Sequence, residues 1–359
     1  MPKLFIPGPV DVGEDVLAAM AGAPIGHRTK DFEALYARVQ EKLQKVLFTS
    51  GAVFLSTSSA TGLWEAVARC CTAKKALVAC CGAFSDRWHD VFAWNGKAVD
   101  RIKVDWGRAV ATETVAEALE KGDYDCFAMV HNETSTGVMH RMEEVAGVMK
   151  DHPEVIWAVD AVSSLTGVKV EVEALGVDVI LASVQKCFGM PPGFALAAVS
   201  GKALEKSKSV ENRGYYFDFQ AMLKYHGKNQ TFSTPSTSHI FALDKQLDKM
   251  LAEGLDARFA RHKQMAGFVQ KWAQDSGFEI FPQEGYWSDT LTVVKNTKGI
   301  DVVELNKFLL AEKDALLANG YGKLKGQTFR IPHMADLTMA DMKNITSWIE
   351  EGARKQGKW

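Results

Sequence analysis

Six short stretches constrain most strongly what this chain can fold into: AVFLS (52–56), ALVAC (76–80), CFAMVH (126–131), VIWAVD (155–160), VDVILAS (177–183) and FALAAVS (194–200). Each is almost continuously apolar, the pattern of a strand buried on both faces of a parallel sheet. Between them lie TGLWEAVARCCT, SDRWHDVFAWNG, TVAEALEKG and RMEEVAGVMKD, whose apolar residues recur at helical spacing. Such alternation predicts an α/β domain on a mostly parallel, doubly wound sheet.

The chain has 359 residues, and single cores rarely grow beyond roughly 250–300 residues, so a second, smaller unit is expected. The texture changes after about residue 240, where FALDKQLDKMLAEGLDARFARHKQMAGFVQKWAQDSG reads as long amphipathic helix. Short strands are expected near 278–281, 289–294 and 327–331, and a closing helix in MADMKNITSWIEEGARK. The organisation read from this is an N-terminal arm over the surface (1–30), a large domain (31–255) and a small α+β C-terminal domain (256–359). A formal charge of −2 favours neither nucleic acid nor an anionic membrane. No apolar run is long enough to span a bilayer, and the opening residues MPKLFIPGPVDVGEDV lack a signal-peptide core, so a cytoplasmic protein is expected. The six cysteines form no C-x-x-C pair, which argues against a zinc site, and all except Cys187, which stays open, read as buried core thiols.

Ligands of open α/β sheets sit outside the carboxyl ends of the strands. Here those ends are polar: STSSATG (56–62), HNETSTG (131–137), VDAVSS (159–164) and SVQK (183–186). Small hydroxyl residues before a helix offer an anion site, because the first N–H groups of the helix lack acceptors. Each feature alone has a plain structural reading: an N-cap, a turn-starting Asp160, a Lys186 whose amine reaches water. Together they present an anion cradle, a carboxylate (Asp160), hydrogen-bonding groups (Thr134, Gln185) and an amine (Lys186) at one sheet edge. Pyridoxal 5′-phosphate (PLP) fits them: its phosphate needs the cradle, its aldehyde the lysine and its ring nitrogen the carboxylate. Dinucleotide, P-loop, G-x-S-x-G and H-E-x-x-H signatures are absent.

VDAVSSLTG and SVQKCFGMPPG, with Lys186 26 residues after Asp160, resemble the class V aminotransferases, PLP enzymes of the aspartate-aminotransferase fold (fold type I). The resemblance runs from PGPVDV and GHRTKDF through STSSATGLWEAV, CCGAFSDRW and HNETSTGV to FSTPSTSHIFAL and FRIPHMAD. It implies that Lys186 forms the Schiff base and that Asp160 pairs with the pyridinium nitrogen. Thr134 would bond the ring's phenolic oxygen, with Phe84 and Val162 on opposite ring faces. Ser59, Ala60 and Thr61 would cradle the phosphate, with Gln185 nearby. Ser233 and Thr234 match a segment that reaches the neighbouring subunit's phosphate, which implies a homodimer with a shared active site. Arg330 would grip the substrate α-carboxylate, for which a bidentate guanidinium is suited. Taken without the resemblance, Arg330 also reads as a strand-edge ion pair, Phe84 as core packing, and His27 and Arg28 as loop residues.

The activity implied is ping-pong transfer of an amino group between a small amino acid and a 2-oxo acid, with Lys186 as general base. HNET and GHRTKDF are more similar to phosphoserine enzymes, in which a His-Arg pair, here His27 and Arg28, helps bind the substrate phosphate. STGV, PPG and FRIPHMAD are more similar to the alanine/serine–glyoxylate group. The expectation leans to phosphoserine:2-oxoglutarate, a step of serine biosynthesis, with alanine/serine–glyoxylate or serine–pyruvate transfer as the alternative. A cysteine desulfurase needs a nucleophilic cysteine late in the chain, and none follows Cys187. A class V lyase would share the cofactor residues and differ only in products. Lys186, Asp160 and Arg330 together speak against a non-catalytic partner subunit.

Overall fold

The computed structural model describes residues 1–359. Its larger sheet has seven strands: β2 (Ala52–Ser56), β3 (Lys75–Cys80), β4 (Ala98–Lys103), β5 (Cys126–Val130), β8 (Ile156–Asp160), β9 (Val179–Ser183) and β10 (Ala195–Val199). Their order is β2-β10-β9-β8-β5-β3-β4, and β10 alone runs antiparallel to its neighbours. A smaller five-stranded sheet is ordered β1-β13-β14-β12-β11, from β1 (Lys3–Phe5), β11 (Glu279–Ile280), β12 (Leu291–Lys295), β13 (Ala315–Asn319) and β14 (Thr328–Pro332). A two-stranded ribbon, β6 (Asn132–Glu133) and β7 (Val138–Met139), follows β5.

The helices in chain order are α1 (Glu14–Met20), α2 (Lys30–Leu47), α3 (Ala60–Cys71), α4 (Ala83–Trp94), α5 (Thr112–Lys121), α6 (Met142–Lys150), α7 (Val172–Leu175), α8 (Gly201–Lys208), α9 (Phe219–His226), α10 (Thr237–Glu253), α11 (Leu255–Asp275), α12 (Val302–Lys313) and α13 (Met339–Lys355). The main sheet divides the large core in two. One half packs α2, α5, α6 and α10 against one face, and the other packs α3, α4, α8 and α9 against the opposite face. This is why the strands read as unbroken apolar runs: both faces are covered. Helix α2 shows the local logic. Thr29 caps it by accepting from the Phe32 amide, Asp31 and Glu33 suit the positive end, and Phe32, Leu35, Val39 and Leu43 fall on one buried stripe.

The six expected large-sheet strands form where the apolar runs lie. The seventh, β4, was not expected from the sequence: AVDRIK is an edge strand, polar and partly exposed, without the two-sided apolar signature. In the smaller sheet β13 likewise escapes the sequence reading. The N-terminal segment differs from a surface arm. Lys3–Phe5 pair in parallel with Ala315–Leu317, Phe5 is fully buried in the C-terminal core, and α1 packs on α10. No helix is long and apolar enough to cross a membrane.

The topology fixes where a ligand sits. From β3 the chain passes through α4 to β4 on one side; from β5 it proceeds to β8 and β9 on the other. The reversal opens a crevice at the carboxyl ends of β3 and β5, beside the ends of β8 and β9.

Candidate active site

A cavity of about 430 Å³ occupies that crevice, lined by residues of both sheets and by Ile6, Pro7 and Gly8 of the N-terminal segment. Ser59, Ala60 and Thr61 line it where β2 turns into α3. The Ser59 hydroxyl makes no capping bond to its own helix. The Gly62 N–H bonds the Ser59 carbonyl, and the Ala60 and Thr61 N–H groups of the first turn of α3 are left for an anion. One turn on, Trp64 stacks on Trp88 at 5.8 Å and donates its indole N–H to Asp160 Oδ2 at 2.8 Å.

Asp160 ends β8 and is buried. Its Oδ1 accepts from the Val162 amide at 2.8 Å. Burial pushes the carboxyl up to about 6, against the pull of these two hydrogen bonds and the Lys186 charge. A cationic ring nitrogen beside it would restore full ionisation.

Lys186 lies just past the end of β9 and is only 7% exposed. Its Nζ donates to Thr134 Oγ1 at 2.9 Å and Ser163 Oγ at 3.0 Å, and those two hydroxyls also bond one another. Burial, aided by the positive charge of Arg330, brings the amine down to about 8, while Asp160 pulls it the other way. Nζ sits 5.5 Å from the centre of the Phe84 ring. The N-terminal segment closes over the lysine at Gly8, where φ is +96° and a Cβ would come within 3.0 Å of Lys186 Cγ. Behind the lysine, Arg258 (1% exposed) donates Nη2 to the Cys187 carbonyl at 2.9 Å and pairs with Glu253 and Asp336. The Cys187 thiol is buried, is pushed up to about 11, and points at the Ser163 carbonyl, so it packs rather than attacks.

Phe84 is aimed by a buried carboxylate. Glu133 accepts from the Phe84 and Ser85 amides at the start of α4, and from Ser85 Oγ and the Ser135 amide and hydroxyl. Across the cavity Arg330 stands on β14, between Val293 and Ala318. Its Nε donates to the Asn319 carbonyl at 2.9 Å and Nη1 to the Thr134 carbonyl at 3.3 Å. Burial lowers it to about 10, which leaves it charged at neutral pH.

The cavity thus brings together Ser59, Ala60, Thr61, Phe84, Thr134, Asp160, Val162, Gln185, Lys186 and Arg330 of the expected residues. It does not bring in His27, Arg28, Ser233 or Thr234. Arg28 instead donates to the Thr231 and Phe232 carbonyls at 2.6 and 3.2 Å and lies 5.0 Å over the Tyr225 ring. Sequence reasoning missed Trp64, Ser163, Asn132, Arg87, Tyr321 and Gly8. Ser163 sits inside the quoted VDAVSS, and Trp64 lies four residues beyond Ala60, one helical turn into α3. Arg87 and Tyr321 carry no local signal, since only the fold unites them.

The residues fit PLP. The N–H groups at an uncapped helix start suit its phosphate, and a carboxylate and a partly discharged amine share the same small cavity.

Comparison with known proteins agrees. The sequence profile of the family "Aminotransferase class-V" matches residues 10–320. An uncharacterized aminotransferase of Methanocaldococcus jannaschii is 37% identical over 337 residues, covering 92% of this chain and 87% of that one. A serine–glyoxylate aminotransferase of Hyphomicrobium methylovorum is 33% identical, covering 94% and 85%. The crystal structure of an alanine–glyoxylate aminotransferase from Nostoc sp. superposes with a TM-score of 0.92 at 28% identity, covering 98% and 95%.

Proposed function

The chain belongs to the class V aminotransferases, enzymes that use PLP, and from that premise we propose that it moves an amino group from a small amino acid to a 2-oxo acid with Lys186 as the base. The observation that carries this reading is the buried Lys186 amine, held by two hydroxyls between Asp160 and Arg330.

When bound, PLP supplies an aldehyde that takes up the amino group and a protonated ring that spreads negative charge away from the substrate Cα. The chain's residues do the rest. Asp160, oriented by Trp64 and the Val162 amide, holds the proton on the ring nitrogen. Ser59, Ala60, Thr61 and Gln185 would hold the phosphate. Phe84 and Val162 would pack on the ring, and Thr134 would donate to its phenolic oxygen. Arg330, steadied by the Asn319 carbonyl, binds the substrate α-carboxylate. Lys186 Nζ would take the proton from the substrate Cα and deliver it to the carbon that bore the aldehyde, ending as the free amine it began as; Ser163 and Thr134 hold that amine in place.

Ser233 and Thr234 lie outside this chain's own cavity, which supports the reading that they serve a second copy in a homodimer. Arg28, bonded to the carbonyls just before them, would brace that segment rather than touch substrate.

A pH dependence follows from the amine. Burial depresses Lys186 to about 8, so its neutral, reactive form grows as pH rises. Capture of added PLP by the apoprotein should accelerate about tenfold per unit below roughly pH 7 and level off above roughly pH 9. Stopped-flow absorbance at constant ionic strength measures this; a flat profile would remove Lys186 as the titrating group.

For the substrate, the relatives include a serine–glyoxylate aminotransferase, while the His27–Arg28 pair on which a phosphoserine preference rests does not line this chain's cavity and Arg28 is bonded to the Thr231 and Phe232 carbonyls. This reading therefore puts transfer to glyoxylate from serine or alanine ahead of phosphoserine:2-oxoglutarate. Purified PLP-loaded protein should form glycine from serine or alanine with glyoxylate. Faster glutamate formation from phosphoserine and 2-oxoglutarate would reverse the order.

A further inference from the structure

The wall beside Arg330 carries a pair of residues with no part in the steps above. Tyr321 sits in the loop between β13 and β14, and Arg87 on the first turns of α4, from the other sheet's domain. Both line the cavity. Arg87 Nη2 donates to the Tyr321 hydroxyl oxygen at 2.9 Å. The Tyr321 ring lies 5.1 Å from the Phe84 ring, and the Arg330 guanidinium is 5.5 Å from its centre. Tyr321 therefore stands between the aromatic that covers the cofactor ring and the arginine that takes the α-carboxylate. A substrate held by its α-carboxylate at Arg330, with Cα turned to Lys186, projects its side chain toward the remaining wall.

The chemistry of that wall is specific. The phenol oxygen already accepts from Arg87, so its own proton is left to donate, and no protein group accepts it. Arg87 forms no ion pair with any carboxylate, and its guanidinium, exposed at the edge of the cavity, lies 5.4 Å from the centre of the Phe84 ring. The Tyr321 hydroxyl is thus a donor that this wall holds ready for a substrate oxygen.

We propose that Tyr321 and Arg87 form a side-chain subsite that reads an oxygen on the substrate's β carbon or beyond, so that the preferred donor is a small hydroxy- or carboxy-bearing amino acid rather than alanine. This rests on the aminotransfer reading. A methyl group leaves both donors facing an apolar surface, and sites built to hydrogen-bond a substrate group discriminate strongly against analogues that lack it.

The test uses the PLP-loaded enzyme with serine, aspartate, phosphoserine and alanine, each with glyoxylate. Wild type should show kcat/KM at least about tenfold higher for the best oxygen-bearing donor than for alanine. Tyr321→Phe should erase most of that advantage while alanine stays within about twofold. Arg87→Gln separates the sources: a larger loss on aspartate and phosphoserine marks an anionic side chain, an equal loss on serine a hydroxyl. Dead-end ligands give a readout without turnover: succinate should raise the melting temperature more than propionate, and Arg87→Gln should remove the difference. Alanine matching serine and aspartate in wild type, or Tyr321→Phe lowering all donors alike, overturns the subsite. If no donor reacts, the aminotransfer reading falls, while equal shifts with succinate and propionate would overturn the subsite by itself.

Discussion

Lys186→Ala should lower turnover of the PLP-loaded protein by about 10⁴-fold or more, because in the proposed reaction it removes both the covalent anchor and the general base at once. The fold should survive. Thr134 and Ser163, the hydroxyls that hold the amine, already bond one another and stay satisfied when it leaves. The variant also sheds a buried amine whose charged form burial disfavours. Circular dichroism and melting temperature should thus resemble wild type while the absorbance signature of lysine-bound PLP disappears. A variant that keeps more than about one per cent of wild-type turnover would assign the base to another group.

Asp160→Asn should reduce kcat by about 10²–10³-fold and weaken PLP binding, with melting temperature lowered. The reason lies in the two donors aimed at this carboxylate, the Trp64 indole and the Val162 amide. A carboxylate accepts from both. An amide has one acceptor oxygen, so in either orientation its NH₂ meets an N–H, and one buried donor is left unpaired at a cost of about 1–3 kcal/mol. The amide also cannot hold a positive charge on the ring nitrogen. Trp64→Phe should separate the effects, since it removes one donor but leaves the carboxylate. Its kcat should stay well above that of Asp160→Asn. Equal losses in the two variants would mean that the carboxylate acts only through its structural bonds.

The parts of this protein that could be read from the sequence are those whose physical cause is local. Buried strands declare themselves by unbroken apolar runs, and the polar residues at their ends mark the ligand edge. Lys186 and Asp160 stood out because a charged group at the end of such a run needs a partner. Strand β4 lacked the signature because one edge strand is covered less than its neighbours. Strand β1 is three residues whose pairing with Ala315–Leu317 lies more than three hundred residues away, which no local pattern carries. The same holds for Gly8 against Lys186, and for Arg87 with Tyr321, each joined only by the fold. For Arg28 the sequence offered a substrate clamp, while main-chain carbonyls at 231 and 232 take up its donors.

The most direct measurement is a half-reaction in which the PLP-loaded protein is mixed with excess serine or aspartate and no 2-oxo acid, and the products are counted per active site. Aminotransfer predicts one equivalent of the matching 2-oxo acid, no free ammonia, and nitrogen retained on the cofactor until glyoxylate is added. Continuous release of ammonia or of a cleaved or decarboxylated product would contradict it and make the protein a lyase on the same scaffold.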